Sequence, residues 1–182
     1  KAVFLFGQSA GAALALEVAA KEAGPLAGVV LVNPAFRLAP AEGMGPTFGD
    51  YVTFGFNAVF RPAELTVDMN SRPEAVRHPG DRAEGLAMQR DPVVVRYFSM
   101  RYLQAQRGLM EACAVNARAV TAPLLLVQGS EDALVDARGG EEILEAAGSK
   151  EKVKLVAVGA GHGSSAVETM VEALVGWLVA RR

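Results

Sequence analysis

The sequence predicts an α/β protein, a mainly parallel sheet flanked by helices with a helical insertion between two of its strands. Three observations carry this reading. Short runs of Val, Leu and Phe recur without polar alternation, which suits strands buried on both faces of a parallel sheet. Helix-patterned stretches separate these runs. Gly and Pro mark most of the junctions.

Taken in order, residues 3–6 (VFLF) form the first strand-like run. Residues 9–22, rich in Ala and Leu, read as a helix stopped by Gly24-Pro25. Residues 29–32 (VVLV) are a second buried strand, ended by Asn33-Pro34. Residues 35–118 then break the alternation. Pro40, Gly43, Gly45, Pro46 and Gly49 punctuate the entry, and Phe48, Tyr51, Val52, Phe56, Val59 and Phe60 follow at helical spacing. Residues 92–113 also read helical, so the region is expected to be a helical excursion. Residues 124–128 (LLLVQ) make a third strand, entered through Pro123 and left through Gly129. Asp136 is placed to cap a helix running to about Ala147, with Gly148 as its stop. Residues 153–158 (VKLVAV) make a fourth strand. Ser165-x-x-Glu168 has the form of a capping box. It opens a last helix with Val167, Met170, Val171, Leu174, Trp177 and Leu178 on one face, and Arg181 and Arg182 at its negative end. The expected organisation is a core of residues 1–34 and 119–182, with 35–118 inserted and right-handed crossovers throughout.

Composition narrows the chemistry. The chain has 182 residues, 51% hydrophobic and 21% charged, enough for one domain with its own core. One cysteine, Cys113, excludes an internal disulfide and a thiolate metal site. Two histidines, His78 and His162, leave little room for a His-rich metal centre, and no metal or cofactor is implied. A net charge of −2 lacks the basic excess of nucleic-acid binders. No stretch reaches the roughly 18 consecutive apolar residues of a membrane span. The first twenty residues have the look of a signal peptide, but Gly7, Gln8 and Ser9 interrupt the apolar run and Glu17 follows within the helix pattern. With no targeting segment in view, a cytoplasmic location is expected. The chain opens on Lys1, directly inside an apolar strand, which leads to the expectation that it is the C-terminal part of a longer protein.

Gly7-Gln8-Ser9-Ala10-Gly11 matches G-x-S-x-G between a buried strand and a helix, the setting of a nucleophile elbow. A serine held in so tight a turn requires small neighbours two positions away on either side, and Gly7 and Gly11 meet this. The helix N-terminus beneath it favours developing negative charge. A serine hydroxyl needs a base to become nucleophilic, and the base needs an orienting carboxylate. Asp132 follows the third strand and His162 the fourth, each just past a strand's carboxyl end, where parallel sheets place their sites. Ser9, Asp132 and His162 are therefore the candidate triad: attack by Ser9, proton transfer by His162, and orientation of the imidazole by Asp132. Glu131 and Asp136 are rival acids, the latter with a better role as helix cap. His78 reads as a loop histidine, Asp68, Asp81 and Asp91 as solvated or capping residues, and Cys113 as a small buried side chain. Six of the twelve aromatics fall between Phe36 and Phe60. They either fill the insertion's own core or, as with Phe36 and Phe56, line an apolar substrate pocket; both hold if different rings do each.

These runs, with LAGVVLVNPAF, TAPLLLVQGSEDALVD and VAVGAGHG, resemble the α/β-hydrolase fold, and more narrowly the monoacylglycerol lipase/lysophospholipase-like serine hydrolases. The resemblance covers the sheet portions of almost the whole chain. It implies a Ser–Asp–His hydrolase with a helical cap at 35–118, acting on a small-molecule acyl ester or lipid through an acyl-enzyme. It implies Ala10 as one backbone donor to the oxyanion and Gln8 beside the substrate. Gln8 departs from the histidine that many such lipases carry before the serine. The strands and the second oxyanion donor with which family members begin do not precede Lys1, so this chain alone is expected to be weak or inactive. Another triad hydrolase, a peptidase or C–C hydrolase, is the alternative within the enzymes; a non-catalytic binding module is the alternative outside them. A haloalkane dehalogenase would carry Asp at position 9.

Overall fold

The computed structural model of the chain describes residues 1–21, 24–39, 48–68 and 75–182. The helix end expected at Glu22 and the punctuation by Pro40, Gly43, Gly45 and Pro46 lie outside the described residues. The elements are β1 (Phe4–Gln8), α1 (Ala10–Lys21), β2 (Gly28–Val32), α2 (Phe48–Phe60), β3 (Leu65–Asp68), α3 (Pro79–Arg90), β4 (Tyr97–Ser99), α4 (Met100–Ala119), β5 (Leu124–Gly129), α5 (Ala137–Ala146), β6 (Lys152–Ala157) and α6 (Ser165–Val179). They form two compact units, Lys1–Ala39 with Leu109–Arg182, and Pro40–Gly108.

In the first unit, β1, β2, β5 and β6 lie side by side in that order, all parallel. The two-residue period of the strands sorts their side chains onto two faces. Val29, Leu31, Leu124 and Leu126 pack with α1, with Cys113 and Ala117 of α4, and with Ile143 of α5. Val30, Val32, Leu125 and Val127 pack with Ala166, Leu174 and Trp177 of α6. The alanines of α1 let that helix lie close: Ala12, Ala13, Ala15 and Ala19 are all buried. On the other face Trp177 lies over Gly28, where a Cβ would come within 2.4 Å of the indole. Arg181 sits 4.1 Å above the same ring and pairs with Glu151, holding the end of α6 against the sheet.

Only the inner strands are buried throughout. β2 and β5 are, as their unbroken apolar runs predict. β1 and β6 are the outer strands: Phe6 is 54% exposed, and in β6 only alternate residues turn inward, with Val153 and Leu155 packed and Lys152, Lys154 and Val156 exposed. An outer strand has one neighbour instead of two, so an apolar run does not guarantee burial there. The last helix departs in two details. Val171 lies off the buried face. The capping box is not made: Ser164 precedes the helix without a side-chain cap bond, and the Ser165 hydroxyl instead accepts the N–H of Gly161 at 3.1 Å. Asp136 does cap α5, its carboxylate accepting the Arg138 N–H at 3.0 Å.

The second unit is not purely helical. β3 and β4 pair antiparallel, and residues 92–99 are not helix. Pro92 and the β-branched Val93, Val94 and Val95 disfavour it, and Asp91 turns the chain by accepting the Val93 N–H at 2.8 Å. His78 is more than a loop residue: it caps α3, its Nδ1 accepting the Asp81 N–H at 3.2 Å, with Pro79 opening the helix. Among the described residues, none of the aromatic side chains of α2 is fully buried, and Phe54 is half-buried. Phe48, Tyr51, Phe56 and Phe60 are all exposed, and the buried residue of α2 is Asn57.

Candidate active site

β1 delivers Gly7 and Gln8 to the sheet's carboxyl edge, and the chain turns into α1 through Ser9. Ser9 has φ +54°, a left-handed conformation that costs a non-glycine residue about 1–2 kcal/mol. The turn is held by backbone bonds: the Ser9 N–H donates to Val32 O at 2.9 Å, and its carbonyl accepts from Ala12 and Ala35. Gly7 is required, because a Cβ there would meet Gly11 O at 2.4 Å and the Ala12 Cα at 2.7 Å. Gly11, expected to be small for the same reason, has no such constraint among the described residues: a Cβ would meet nothing within 4 Å. The crowding runs one way, from the returning helix onto the strand.

Ser9 Oγ lies 2.8 Å from Nε2 of His162, and His162 Nδ1 lies 2.8 Å from Oδ2 of Asp132. The imidazole and carboxylate are almost sealed from solvent, at 14% and 2% side-chain exposure. Asp132 is fixed through its other oxygen, which accepts the N–H groups of Leu134 and Val135 at 2.9 and 3.0 Å. Oδ2 faces the histidine and also accepts a longer bond from the buried Gln128 Nε2 at 3.5 Å. A hydroxyl, an imidazole and a carboxylate linked in this way can move a proton off the hydroxyl and stabilise the resulting imidazolium. Of the candidate acids, it is Asp132 that His162 Nδ1 meets. Asp136 caps α5, and Glu131 is exposed, with its backbone N–H bound to Ala160 O at 2.9 Å. Burial, and secondarily the charge of Glu17, pushes the Cys113 thiol up to about 12, so it stays protonated.

Ala10 opens α1 immediately after the serine, at the helix's positive end. The three residues expected at the substrate lie in different settings. Gln8 uses its amide on the histidine loop, donating to Gly163 O at 3.1 Å and His162 O at 3.4 Å. Phe36 is packed against the core cluster of α1, α4 and α5. Phe56 belongs to the second unit, where it is 54% exposed and its ring meets Phe60 at 4.9 Å.

One residue of the site has no counterpart in the sequence reading. Asn33 is fully buried, and its side chain reaches both loops that carry the acid and the base. The Asn-Pro pair was legible only as a strand terminator. The available signal was its position, a polar residue at the carboxyl end of a central strand.

The family described as "Serine aminopeptidase, S33" matches residues 1–166, a span that contains Ser9, Asp132 and His162. Human monoglyceride lipase is 30% identical over 166 residues, covering 88% of this chain and 51% of the human protein. This chain thus spans about half the length of that curated relative. The crystal structure of a monoacylglycerol lipase from Paleococcus ferrophilus superposes with a TM-score of 0.79 at 24% identity, covering all of this chain and 70% of the other. A soluble variant of monoglyceride lipase from Saccharomyces cerevisiae, in complex with a substrate analogue, superposes with a TM-score of 0.78 at 19% identity, covering 99% and 62%. The two structures share the fold: a mainly parallel sheet between helices. By the extent of the family match, the chain belongs to the serine aminopeptidase S33 family, with the α/β-hydrolase fold of the monoacylglycerol lipases.

Proposed function

We propose that this chain carries the catalytic residues of a serine hydrolase that cleaves carboxylic esters, of monoacylglycerol or lysophospholipid type, through an acyl-enzyme. The observation that carries the proposal is the continuous hydrogen-bonded line from Ser9 through His162 to Asp132, at 2.8 Å for each step. In this reading His162 Nε2 takes the Ser9 proton as Oγ attacks the acyl carbonyl. The tetrahedral oxyanion is stabilised by the Ala10 N–H, and the proton passes from His162 to the departing alkoxide as the C–O bond breaks. Water, deprotonated by the same imidazole, then releases the acid and restores Ser9. Likeness to the monoglyceride lipase sequence favours an acylglycerol over other esters. The insertion, residues 35–118, is the cap domain in this proposal.

A second reading, amide hydrolysis at a peptide N-terminus, is favoured by the description of the matching family. Both share the triad. The test is made on the protein that carries this chain. A fluorophosphonate probe should label Ser9 and fail on Ser9→Ala, and monoacylglycerol should turn over faster than aminoacyl anilides. Labelling that survives Ser9→Ala overturns the triad, and preference for the anilides overturns the ester assignment.

A further inference from the structure

Asn33 is a polar side chain with no exposed surface. Burying an amide is unfavourable unless its hydrogen-bonding groups are met, and here they are. Nδ2 donates to Gly161 O at 3.0 Å and to His162 O at 2.9 Å, while Oδ1 accepts the Gly129 N–H at 2.7 Å. One planar amide therefore binds two segments far apart in sequence, the end of β5 that leads into Asp132 and the loop that carries His162. Its backbone has φ +42°, a conformation that Asn adopts more readily than most non-glycine residues. The two segments are also in close backbone contact, since a Cβ on Gly129 would lie 2.3 Å from Gly161 O. Gln8 grips the same loop from the elbow side, at His162 O and Gly163 O.

The loop needs such a grip. Gly159, Gly161 and Gly163 surround the histidine, and glycine-rich backbone loses more entropy on ordering than any other. We infer that Asn33 is a positioning residue: it ties the histidine loop to the acid loop and so sets the alignment of His162 between Ser9 and Asp132, with Gln8 as the second grip. This rests on the serine-hydrolase reading for its kinetic consequence, but the geometry it claims is independent of turnover. Asn suits the position because it offers two donors and one acceptor in one plane. Leucine would take from the Gly129 N–H and the Gly161 carbonyl their buried side-chain partner, and an ionised aspartate would oppose two carbonyl oxygens.

Asn33→Gly keeps the backbone conformation and removes every side-chain bond. Asn33→Asp keeps the shape and the Gly129 bond but loses the two loop bonds when ionised. Both are compared with wild type in the protein that carries this chain, with thermal melting as the control for folding. Three readouts are taken: the rate of fluorophosphonate labelling at Ser9, kcat and KM on a short-chain ester, and the downfield proton resonance of the His162 Nδ1–H. The expected result is a fall of about 10²-fold in labelling rate and kcat, as for a small misplacement of a reacting group, with KM little changed. The Nδ1–H resonance should broaden or vanish although the protein still melts cooperatively. If Asn33→Gly does not fold, Asn33→Asp and Gln8→Met decide, the latter with a smaller loss in the same direction. Wild-type labelling rates with an unchanged resonance in a folded variant overturn the inference. Absence of labelling in wild type sinks the hydrolase reading instead, while loss of the resonance in the variants still upholds the grip.

Discussion

The two compact units use their apolar residues in opposite ways. In the sheet unit, Val29 to Val32 and Leu124 to Val127 are all at most 1% exposed, enclosed between helices on both faces. In the unit of residues 40–108, Val67 is the buried apolar side chain among the described residues, while Phe48 is 84% and Phe60 70% exposed. β2, β5 and α2 are all rich in apolar residues. The difference is geometric: an inner parallel strand has neighbours on each side and a helix layer above and below, whereas α2 offers a single apolar stripe to whatever meets it. The candidate catalytic groups Ser9, Asp132 and His162 all belong to the sheet unit, where the backbone is most firmly enclosed.

The strongest probe of this contrast is chemical. Asp132→Asn should lower Ser9 labelling by about 10³–10⁴-fold while leaving the fold intact, because the amide cannot hold the imidazole in its working tautomer. Phe56→Ser in the other unit should leave the Ser9 labelling rate within a few-fold of wild type with a small, soluble phosphonate. Next in size is stability. Leu126→Ala, in the middle of β5, should cost about 2–5 kcal/mol by urea denaturation. Phe60→Ala, on the exposed stripe of α2, should stay within about 0.5 kcal/mol. At the elbow, Gly7→Ala should destabilise by about 1–3 kcal/mol through its clash with Gly11 O. Gly11→Ala, in open space near the start of α1, should be neutral or stabilise by up to about 1 kcal/mol. At neutral pH the smallest effect is at Cys113, whose titration changes stability only in alkali. With its thiol raised to about 12 from an ordinary value of 9.0, the folded state favours the neutral form. The resulting stabilisation is complete below pH 9 and is lost as pH rises from there through 12. Alkylation by iodoacetamide at pH 8 should accordingly require unfolding, as read by mass spectrometry along a urea series.

Much of the site was legible because its parts are local. The elbow is five consecutive residues between a strand and a helix, and the serine, acid and histidine each come just past a strand's carboxyl end, after β1, β5 and β6. Asp132 could be separated from Asp136 because a carboxylate two residues before a helix backbone N–H has a capping role of its own, which Asp136 takes. What escaped was decided by partners distant in sequence. The Ser165 hydroxyl oxygen had two possible donors, an N–H of its own helix and that of Gly161, and the folded loop supplied the second. Gln8 was placed at the substrate by analogy, whereas its amide meets carbonyls about 155 residues away. The β3–β4 pairing rests on short segments, four and three residues long, too brief for any periodicity to announce.

From its sequence alone this chain was bound to place a serine in a strand-to-helix turn, with the unbroken apolar runs of β2 and β5 suited to the inside of a parallel sheet. Steric limits on the turn and the aversion of Val and Leu runs to water act within a few residues, so they can be read along the chain. Tertiary structure alone decided which face of α2 stayed exposed and that Asn33 would join the loops of Asp132 and His162. Those outcomes depend on the distance between atoms separated by as many as 129 residues, and a hydrogen bond over that span exists only after the sheet has formed.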